Sequence, residues 1–254
     1  MIVNTAKQRM LQGKPAIGAG AGLGSTLSVE LLSQAGFDFI LVDNQHGAWD
    51  DKETMAAFRS VCAGGANTAV PMARVRQNDF GAIGRLLDAG ALGIVVPMVH
   101  TVEQARAAVR ATRFPPQGGR SAGPFGTGFL GPDYLKWANE AIFLAIQIES
   151  RQAVNDAEAI LGVDGIDGCW IGPADLALSM GVNLATPAGA AEHRAAILHV
   201  LEACRKTGKV PGIASSPNAR EWLELGFRFV TAGGDSAYLM DGMRRTLEAL
   251  KDLR

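Results

Sequence analysis

The sequence predicts an α/β protein made of a single (β/α)8 barrel domain, a TIM barrel that spans residues 1–254. Eight short apolar runs recur along the whole chain, and segments with helical periodicity lie between them. Near-continuous apolar strands that alternate with helices are typical of a parallel sheet covered by helices. Eight such units in a chain of 254 residues match the usual size of a (β/α)8 barrel.

The predicted strands follow one another at regular intervals. In chain order they are AIGAGA (16–21), FDFILVD (37–43), TAVPMAR (68–74), LGIVVPMV (92–99), IFLAIQIE (142–149), IDGCWIG (166–172), VPGIASS (210–216) and FRFVTAGG (227–234). Predicted helices between them include TLSVELLSQAG, DFGAIGRLLDAG, TVEQARAAVRATR and NAREWLELG. Several of these end at glycine, the residue that best terminates an α-helix. Each apolar run is therefore followed by a segment that can cross back over the sheet.

An open, doubly wound sheet is the alternative fold. The stretch GAGAGLGS after the first run resembles a dinucleotide-binding loop, but no acidic residue stands at the right place to bind a ribose. Asp43 lies about twenty residues further on, at the end of the second run. A ribose contact does not explain the polar cluster that directly follows Asp43. The barrel is therefore favoured, and a nicotinamide cofactor is not expected.

Composition excludes several classes of function. The net charge is −1 and the charged residues are interspersed, so neither nucleic acid nor an anionic membrane is expected as a partner. No signal-peptide core and no membrane-spanning apolar stretch is evident, so we expect a cytoplasmic protein. Cys62, Cys169 and Cys204 form no CxxC pair, which favours reduced thiols in a core.

Polar side chains gather where the predicted strands end. This is where (β/α)8 barrels carry their active sites. The second strand leads to Asp43, Gln45 and His46, the third to Arg74 and Arg76, the fifth to Gln147 and Glu149, and the sixth to Asp175. Side chains two apart on a strand share a face, so Glu149 and Arg74 can converge over the barrel mouth.

Two carboxylates at neighbouring strand ends predict a metal site. Glu149 and Asp175 have no His or Cys ligand nearby, and oxygen ligands of this kind suit Mg²⁺ or Mn²⁺ completed by water and substrate. An ion-pair network with Arg74 is the alternative. Pro173 suits a first helical turn, which leaves the backbone amides of Ala174 and Asp175 free to bind a substrate carboxylate.

The remaining groups indicate proton removal beside a metal-bound carbonyl. Arg74 can stabilise a developing negative oxygen, and His46 titrates near neutral pH, as a general base requires. We interpret His100, His193 and His199 as structural or surface residues. A Schiff-base mechanism needs a lysine at the mouth, and no lysine falls at a predicted strand end.

Motifs over nearly the whole chain resemble one known family. They are LVDNQHG, PMARVRQND, LLDAGALGIVVPMV, AVRATRFPPQGGRSAG, AIQIES, IDGCWIGPADLALSMG, and PGI followed by LELGFRFVTAGGD. In order and spacing they resemble the metal-dependent class II pyruvate aldolases of the 4-hydroxy-2-oxoheptanedioate aldolase type. The resemblance implies a barrel of the phosphoenolpyruvate/pyruvate-binding type, assembled as a hexamer in which neighbours exchange the last helix.

The resemblance also implies an activity and a set of roles. The reaction is reversible cleavage of a 4-hydroxy-2-oxo acid into pyruvate, or hydroxypyruvate, and an aldehyde through a metal-bound enolate. The metal is Mg²⁺, Mn²⁺ or Co²⁺. The implied roles are general base for His46, enolate stabiliser for Arg74, metal ligands for Glu149 and Asp175, and pyruvate contacts for Gln147, Ala174 and Asp175.

Asp88, within LLDAG, matches the family position that raises the basicity of the histidine. It lies two residues before Gly90, a predicted helix C-cap, and hence near the end of the barrel opposite to His46. Either the helix ends elsewhere or the two residues meet across a subunit boundary. Asp43 is a second candidate for orienting His46.

One departure from the family bears on the substrate. Many relatives carry an acidic residue directly before the histidine, whereas this chain has Gln45, which brings no charge to the base or the metal. The aldehyde partner is therefore not determined. Arg120 and Arg220 could meet a distal carboxylate of the substrate, but we favour their interpretation as solvated surface residues. Another metal-enolate lyase acting on a dicarboxylate or an acyl-CoA, and a non-catalytic 2-oxo acid binding barrel, are the alternatives.

Overall fold

A computed structural model describes residues 3–63, 69–123, 128, 130–215 and 218–253 of the chain. Eight parallel strands pair in chain order, and the last pairs with the first, so the sheet closes into a barrel. The strands are β1 Ala16–Ala21, β2 Phe39–Asp43, β3 Val70–Arg74, β4 Gly93–Val96, β5 Phe143–Ile148, β6 Gly168–Ile171, β7 Gly212–Ala214 and β8 Phe229–Gly234. Each lies inside a predicted run, and the predicted (β/α)8 barrel is confirmed.

Helices cover the outside of the barrel. They are α1 Thr5–Leu11, α2 Thr26–Gln34, α3 Asp51–Cys62, α4 Phe80–Ala89, α5 Val102–Thr112, α6 Tyr134–Ala141, α7 Arg151–Asn155, α8 Ala157–Leu161, α9 Pro173–Met180, α10 Pro187–Thr207, α11 Ala219–Leu225 and α12 Asp235–Ala249, followed by a 3₁₀ turn at Lys251–Leu253. Asp50 and Glu53 form a capping box at the start of α3. Gly90 ends α4 with a φ of 117°, a conformation that favours glycine.

The glycine-rich loop after β1 binds a carboxylate of the chain itself. The N–H groups of Gly22 and Leu23 donate to Asp235, at 3.0 and 3.1 Å, and Asp235 is the first residue of α12. These are the backbone donors that a dinucleotide phosphate would need. Together with the closed barrel, this contact shows that the doubly wound alternative is wrong.

Aromatic rings fill the interior of the barrel below its mouth. Phe229 packs against Phe39 and Phe143, with ring centroids 4.7 and 5.1 Å apart. A Cβ atom at Gly18 would lie 2.3 Å from the ring of Phe39, so glycine is required there. All three rings are fully buried, and the barrel is therefore a packed core and not a channel.

A buried charge cluster lies at the opposite end of the barrel from the strand C-termini. Lys7 forms an ion pair with Asp167 at 2.7 Å, and Arg113 binds the other carboxylate oxygen at 2.7 Å. Burial lowers the pKa of Lys7, although the charge of Asp167 acts against this. Asp167 directly precedes β6, so this desolvated lysine lies far from the mouth and cannot serve a Schiff-base mechanism there.

The cysteines differ from the predicted set of buried thiols in one respect. Cys169 and Cys204 are buried free thiols that share a hydrogen bond, with their sulfur atoms 3.4 Å apart, but Cys62 is exposed. Cys62 lies in the last turn of α3, where the helix turns it away from the core.

No helix in the described part of the chain is long and apolar enough to cross a membrane.

Candidate active site

The turn after β2 carries His46 at the mouth of the barrel. Asp43 ends the strand, and its Oδ1 accepts the backbone N–H groups of Gln45 and His46 at 3.0 and 3.3 Å. A Cβ atom at Gly47 would lie 2.4 Å from the Asp43 carbonyl oxygen, so only glycine permits this tight turn. The His46 side chain is exposed to solvent and makes no hydrogen bond with the described residues.

Two further side chains hold the same loop from outside. The indole N–H of Trp49 donates to the Ala21 carbonyl at the end of β1, at 2.8 Å. Arg76 donates to the Trp49 carbonyl at 2.7 Å. The loop that presents His46 is thus fixed to β1 and β3 as well as to its own strand.

Arg74 forms a bidentate pair with Asp43. The two residues lie opposite each other in the β2–β3 register, and Arg74 Nε donates to Asp43 Oδ1 at 2.9 Å while Nη2 donates to Oδ2. Burial raises the pKa of Asp43, but the hydrogen bonds and charge of Arg74 outweigh burial and hold that pKa below its ordinary value. Asp43 is therefore an ionised partner of Arg74, and its contact with His46 is made at the backbone and not at the ring.

Glu149 is a buried carboxylate held by two donors. Glu149 is only 3% exposed. Its Oε1 accepts a hydrogen bond from the Met98 N–H at 2.6 Å, and its Oε2 accepts one from the side-chain amide of Gln147. Burial raises the pKa of Glu149, and the negative charge of Asp175 raises it further. Met98 has a φ of 56°, which is strained for a residue with a side chain, and this backbone conformation is the one that delivers its N–H to Glu149.

Asp175 lies at the third position of α9, which begins at Pro173 as predicted. The first helical hydrogen bond is donated by Leu176 to the Gly172 carbonyl, so the amides of Ala174 and Asp175 precede the helical ladder. Ala174 and Asp175 are both exposed. Their amides are accordingly available to an anion from the mouth of the barrel.

His193 and Gly172 fix the start of that helix. His193 is buried, and its Nε2 is 2.8 Å from the Pro173 carbonyl oxygen, in agreement with its predicted structural role. A Cβ atom at Gly172 would lie 2.8 Å from the Gln147 side-chain nitrogen. The helix start can therefore approach the Gln147–Glu149 pair closely.

A cavity of about 390 Å³ contains both predicted metal ligands. Its lining residues are Met98, His100, Glu149, Ser150, Gln152, Asp175 and Ser179. Two features fit a divalent cation in this cavity: two carboxylates share it, and the buried Gln147 Oε1 beside Glu149 has no hydrogen-bond partner in the described structure. Within that part of the chain no group of three His, Cys, Asp or Glu side chains could hold an ion, so a divalent cation in this cavity would need water or substrate to complete its ligand set.

His100 lines this cavity, although the sequence indicated only a structural or surface histidine. Its Nδ1 is 2.8 Å from the hydroxyl oxygen of Ser150, the residue that follows Glu149. The sequence shows no sign of this contact, because the loop of His100 has no acidic residue and its partner lies in the segment after β5. His100 is thus part of the lining of the carboxylate-containing cavity.

A second cavity of about 280 Å³ lies on the other side of Arg74. Its lining residues are Gly20, Leu41, Asp43, Arg74, Trp170, Ala214, Ser215, Thr231 and Gly233. Trp170, Thr231 and Ser215 carry no signal of function in the sequence, because each sits in a run that looks like barrel core. We call this cavity the β1–β7–β8 compartment and the first one the carboxylate compartment.

Asp88 lines neither compartment of its own chain. As predicted it stands two residues before the C-cap of α4, and it pairs with Arg120 at 2.7 Å. The interpretation of Arg120 as a solvated surface residue is wrong: Arg120 is 3% exposed and its guanidinium packs against the rings of Phe114 and Tyr134. Arg220, in contrast, is exposed as predicted and is near Glu224.

Comparison with known proteins identifies the family. A family model described as HpcH/HpaI aldolase/citrate lyase matches residues 22–241. The 4-hydroxy-2-oxo-heptane-1,7-dioate aldolase of Salmonella paratyphi C (strain RKS4594) is 39% identical over 248 residues, which cover 94% of this chain and 91% of that protein.

Solved structures agree with this assignment. The structure of an HpcH/HpaI aldolase/citrate lyase family protein from Burkholderia cenocepacia J2315 has a TM-score of 0.89 and 31% identity, over 98% of this chain and 100% of that one. The HpcH/HpaI aldolase from Desulfitobacterium hafniense DCB-2 has a TM-score of 0.87 and 28% identity, over 98% of this chain and 97% of that one. The protein described above therefore belongs to the HpcH/HpaI aldolase/citrate lyase family, an enzyme family of aldolases and lyases, as the resemblance of its motifs implied.

Proposed function

We propose that the protein is a metal-dependent aldolase that reversibly cleaves a 4-hydroxy-2-oxo acid into pyruvate, or hydroxypyruvate, and an aldehyde. One observation carries this proposal: Arg74 lies between a carboxylate pair and the turn of a solvent-accessible histidine. It binds Asp43 in the turn that bears His46, it lines the β1–β7–β8 compartment, and its charge acts on Glu149. A fixed cation in that place suits a reaction that develops negative charge on an oxygen.

Glu149 and Asp175 would hold the divalent ion, for which Mg²⁺, Mn²⁺ and Co²⁺ are the candidates. The ion supplies Lewis-acid polarisation of the substrate carbonyl when it is bound. The raised pKa of Glu149 supports this assignment, because the charge of Arg74 does not offset the burial of Glu149 and the negative charge of Asp175 beside it.

The 2-oxo acid would bind at the start of α9. Its carboxylate meets the backbone amides of Ala174 and Asp175, where the helix dipole also favours negative charge. Gln147 is fully buried and contributes a side-chain amide to the same place. These contacts orient the substrate with its chain pointing out of the carboxylate compartment.

The reaction then needs one base and one fixed cation. His46 removes the proton from the C4 hydroxyl, the C3–C4 bond breaks, and the C4 carbon leaves as an aldehyde. The electron pair of that bond passes into the 2-oxo acid and forms an enolate, whose negative oxygen Arg74 stabilises. Protonation of the enolate at C3 gives pyruvate, and aldol synthesis is the reverse sequence.

The aldehyde would occupy the β1–β7–β8 compartment. Gly20, Ala214 and Gly233 leave room there, and a Cβ atom at Gly20 would meet nothing closer than 3.6 Å. The hydroxyl groups of Ser215 and Thr231 are the uncharged polar groups of its lining. The charged groups of the lining, Asp43 and Arg74, are paired with each other, so the compartment favours a small polar aldehyde over one that carries a charge.

We further propose one barrel domain per subunit and a hexamer whose subunits exchange α12. This helix buries only its first residue, Asp235, and leaves an apolar stripe exposed: Tyr238, Leu239, Met240, Met243 and Leu247. A stripe of this size in water indicates a protein partner. The boundary between subunits is also where Asp88 of one chain would meet His46 of another.

We also propose a cytoplasmic location. The free thiols of Cys169 and Cys204, which are not joined in a disulfide, support a reducing compartment.

Exchange of the pyruvate methyl protons in heavy water tests the proposal. The protein is treated with a chelator and then supplied with Mg²⁺, Mn²⁺ or Co²⁺, and the methyl signal is followed by NMR. Metal-dependent loss of that signal is expected because the enolate is an intermediate in both directions. Folded protein that exchanges no protons with any of the three ions would refute the aldolase assignment and leave the binding barrel or an acyl-CoA lyase.

A further inference from the structure

We propose that Trp170 is a positioning residue for Arg74 and that Thr231 holds the indole in place for this purpose. The inference rests on the proposed function, in which the direction of the Arg74 guanidinium decides how well it meets the enolate oxygen. Trp170 lies in the body of β6, where the sequence pattern indicates only barrel core.

The first step is the contact between Arg74 and the indole. The central carbon of the guanidinium lies over the Trp170 ring, 5.3 Å from its centroid. Trp170 is 5% exposed and Arg74 is buried as well, so the contact is largely removed from water. A tryptophan face is the best of the aromatic faces for a cation, and the attraction increases when the pair is desolvated.

The second step is that Asp43 leaves one direction of Arg74 unconstrained. The carboxylate binds Nε and Nη2, which lie along one edge of the planar guanidinium. Two hydrogen bonds to one edge fix that edge but do not prevent the plane from tilting about it. An aromatic ring against the face of the plane supplies the missing constraint. Nη1 has no hydrogen-bond partner among the described residues, and it is the nitrogen left to meet a substrate oxygen.

The third step is the anchor of the indole itself. Trp170 Nε1 donates to the Thr231 hydroxyl at 3.1 Å, and both residues are buried. Trp170 is on β6 and Thr231 is on β8, and these strands are not neighbours, since β7 lies between them. The hydrogen bond therefore joins two strands across a third and fixes the ring where the barrel wall alone would not. Arg74, Trp170 and Thr231 also line the β1–β7–β8 compartment together.

A double-mutant cycle separates positioning from simple packing. The variants are Trp170→Leu, Trp170→Phe and Thr231→Val, each made in the natural chain and in Arg74→Lys, which keeps a cation but removes the planar group. In the natural chain we expect kcat for retro-aldol cleavage to fall about 10-fold with Leu, and about 3-fold with Phe or with Val at position 231. The KM of the 2-oxo acid should change less than twofold, because its carboxylate is bound elsewhere. In the Arg74→Lys background the same changes should alter kcat less than twofold.

Trp222→Leu is the matched control. Trp222 is also buried and packs against an arginine, Arg194 at 5.2 Å, but on the outside of the barrel. It should leave kcat unchanged in both backgrounds. Trp170 would only fill space if Trp170→Leu lowered kcat equally in the natural chain and in the Arg74→Lys background. The same conclusion would follow if Trp170→Phe lowered kcat as much as Trp170→Leu.

An NMR measurement on the metal-free protein decides the matter without turnover. The Arg74 Nε–H signal, assigned by its loss in Arg74→Lys, should carry a ring-current shift that disappears in Trp170→Leu and changes in Thr231→Val. If wild-type protein exchanges no pyruvate protons but shows this shift, the proposed function fails and the positioning of Arg74 by Trp170 stands. An unshifted signal in the wild type overturns the positioning role, whatever the enzyme catalyses.

Discussion

Asp43 and Arg74 face each other across the β2–β3 pair and are joined through both carboxylate oxygens, while the same carboxylate accepts the backbone N–H of His46. One ionised side chain therefore fixes both the cation and the turn that carries the proposed base.

Replacing Asp43 with Asn should reduce the free energy of unfolding by about 3 kcal/mol, because it leaves the buried Arg74 cation without its counter-ion. Urea denaturation measures the change. Asp51→Asn is the control, since the Asp51–Arg85 pair is largely exposed and contributes at most about 1 kcal/mol. Similar losses for the two variants would argue against a special role for the buried pair.

The stabilisation by Asp43 should depend on pH in a defined window. Its pKa in the folded protein is lowered, so its contribution is complete above the unfolded value of about 3.9 and is lost as the pH falls through the folded value. The difference in unfolding free energy between wild type and Asp43→Asn should be constant from pH 5 to 7. It should shrink below about pH 4, and a difference that grew on acidification would contradict the assignment.

Replacing His46 with Ala should lower kcat for retro-aldol cleavage by about 10²- to 10⁴-fold, the usual contribution of a general base. The rise in melting temperature on adding Mn²⁺ should be unchanged, because His46 is not placed among the ion ligands. His199→Ala is the matched control, since His199 is exposed on α10. Near-normal turnover in His46→Ala would remove the base assignment.

Replacing Glu149 with Gln should weaken Mn²⁺ binding at least about 10-fold, as measured by the metal-induced shift in melting temperature. Without metal, the variant should be at least as stable as the wild type, because a neutral amide avoids the desolvation that raises the pKa of Glu149. Glu158→Gln, on the surface beside Lys206, serves as control. A destabilised metal-free variant with normal Mn²⁺ affinity would indicate a purely structural glutamate.

Placing charges on the apolar stripe of α12 should dissociate the proposed hexamer. In the double variant Leu239→Glu/Met243→Glu, sedimentation velocity should show smaller species, while the circular dichroism of the barrel is retained. Leu11→Glu, which alters an exposed leucine on α1, should leave the assembly intact. A hexamer that survives the double variant would place the subunit interface elsewhere.

The strands and the polar strand ends could be predicted because each depends on a local pattern. Apolar runs gave all eight strands, and the spacing of two residues correctly grouped Gln147 with Glu149. The helix cap at Gly90 likewise placed Asp88 away from the mouth.

The residues that the sequence misjudged depend on contacts between distant segments. Arg120 is buried because Phe114 and Tyr134 enclose it, and no local pattern distinguishes it from the exposed Arg220. His100 acquires its partner from the helix cap that follows β5, and Trp170 contacts Arg74 and Thr231 on other strands. In each case the side chain has a partner that only the closed barrel supplies.

The three phenylalanine rings beneath the site also restrict the routes by which molecules can enter and leave it. Because Phe39, Phe143 and Phe229 close the interior below, both compartments open on the same side of the molecule. Under the proposed function, the aldehyde can depart through the β1–β7–β8 compartment while the 2-oxo acid stays beside Glu149. Cleavage is then kinetically ordered: the aldehyde leaves first and pyruvate last, and in synthesis pyruvate is the leading substrate.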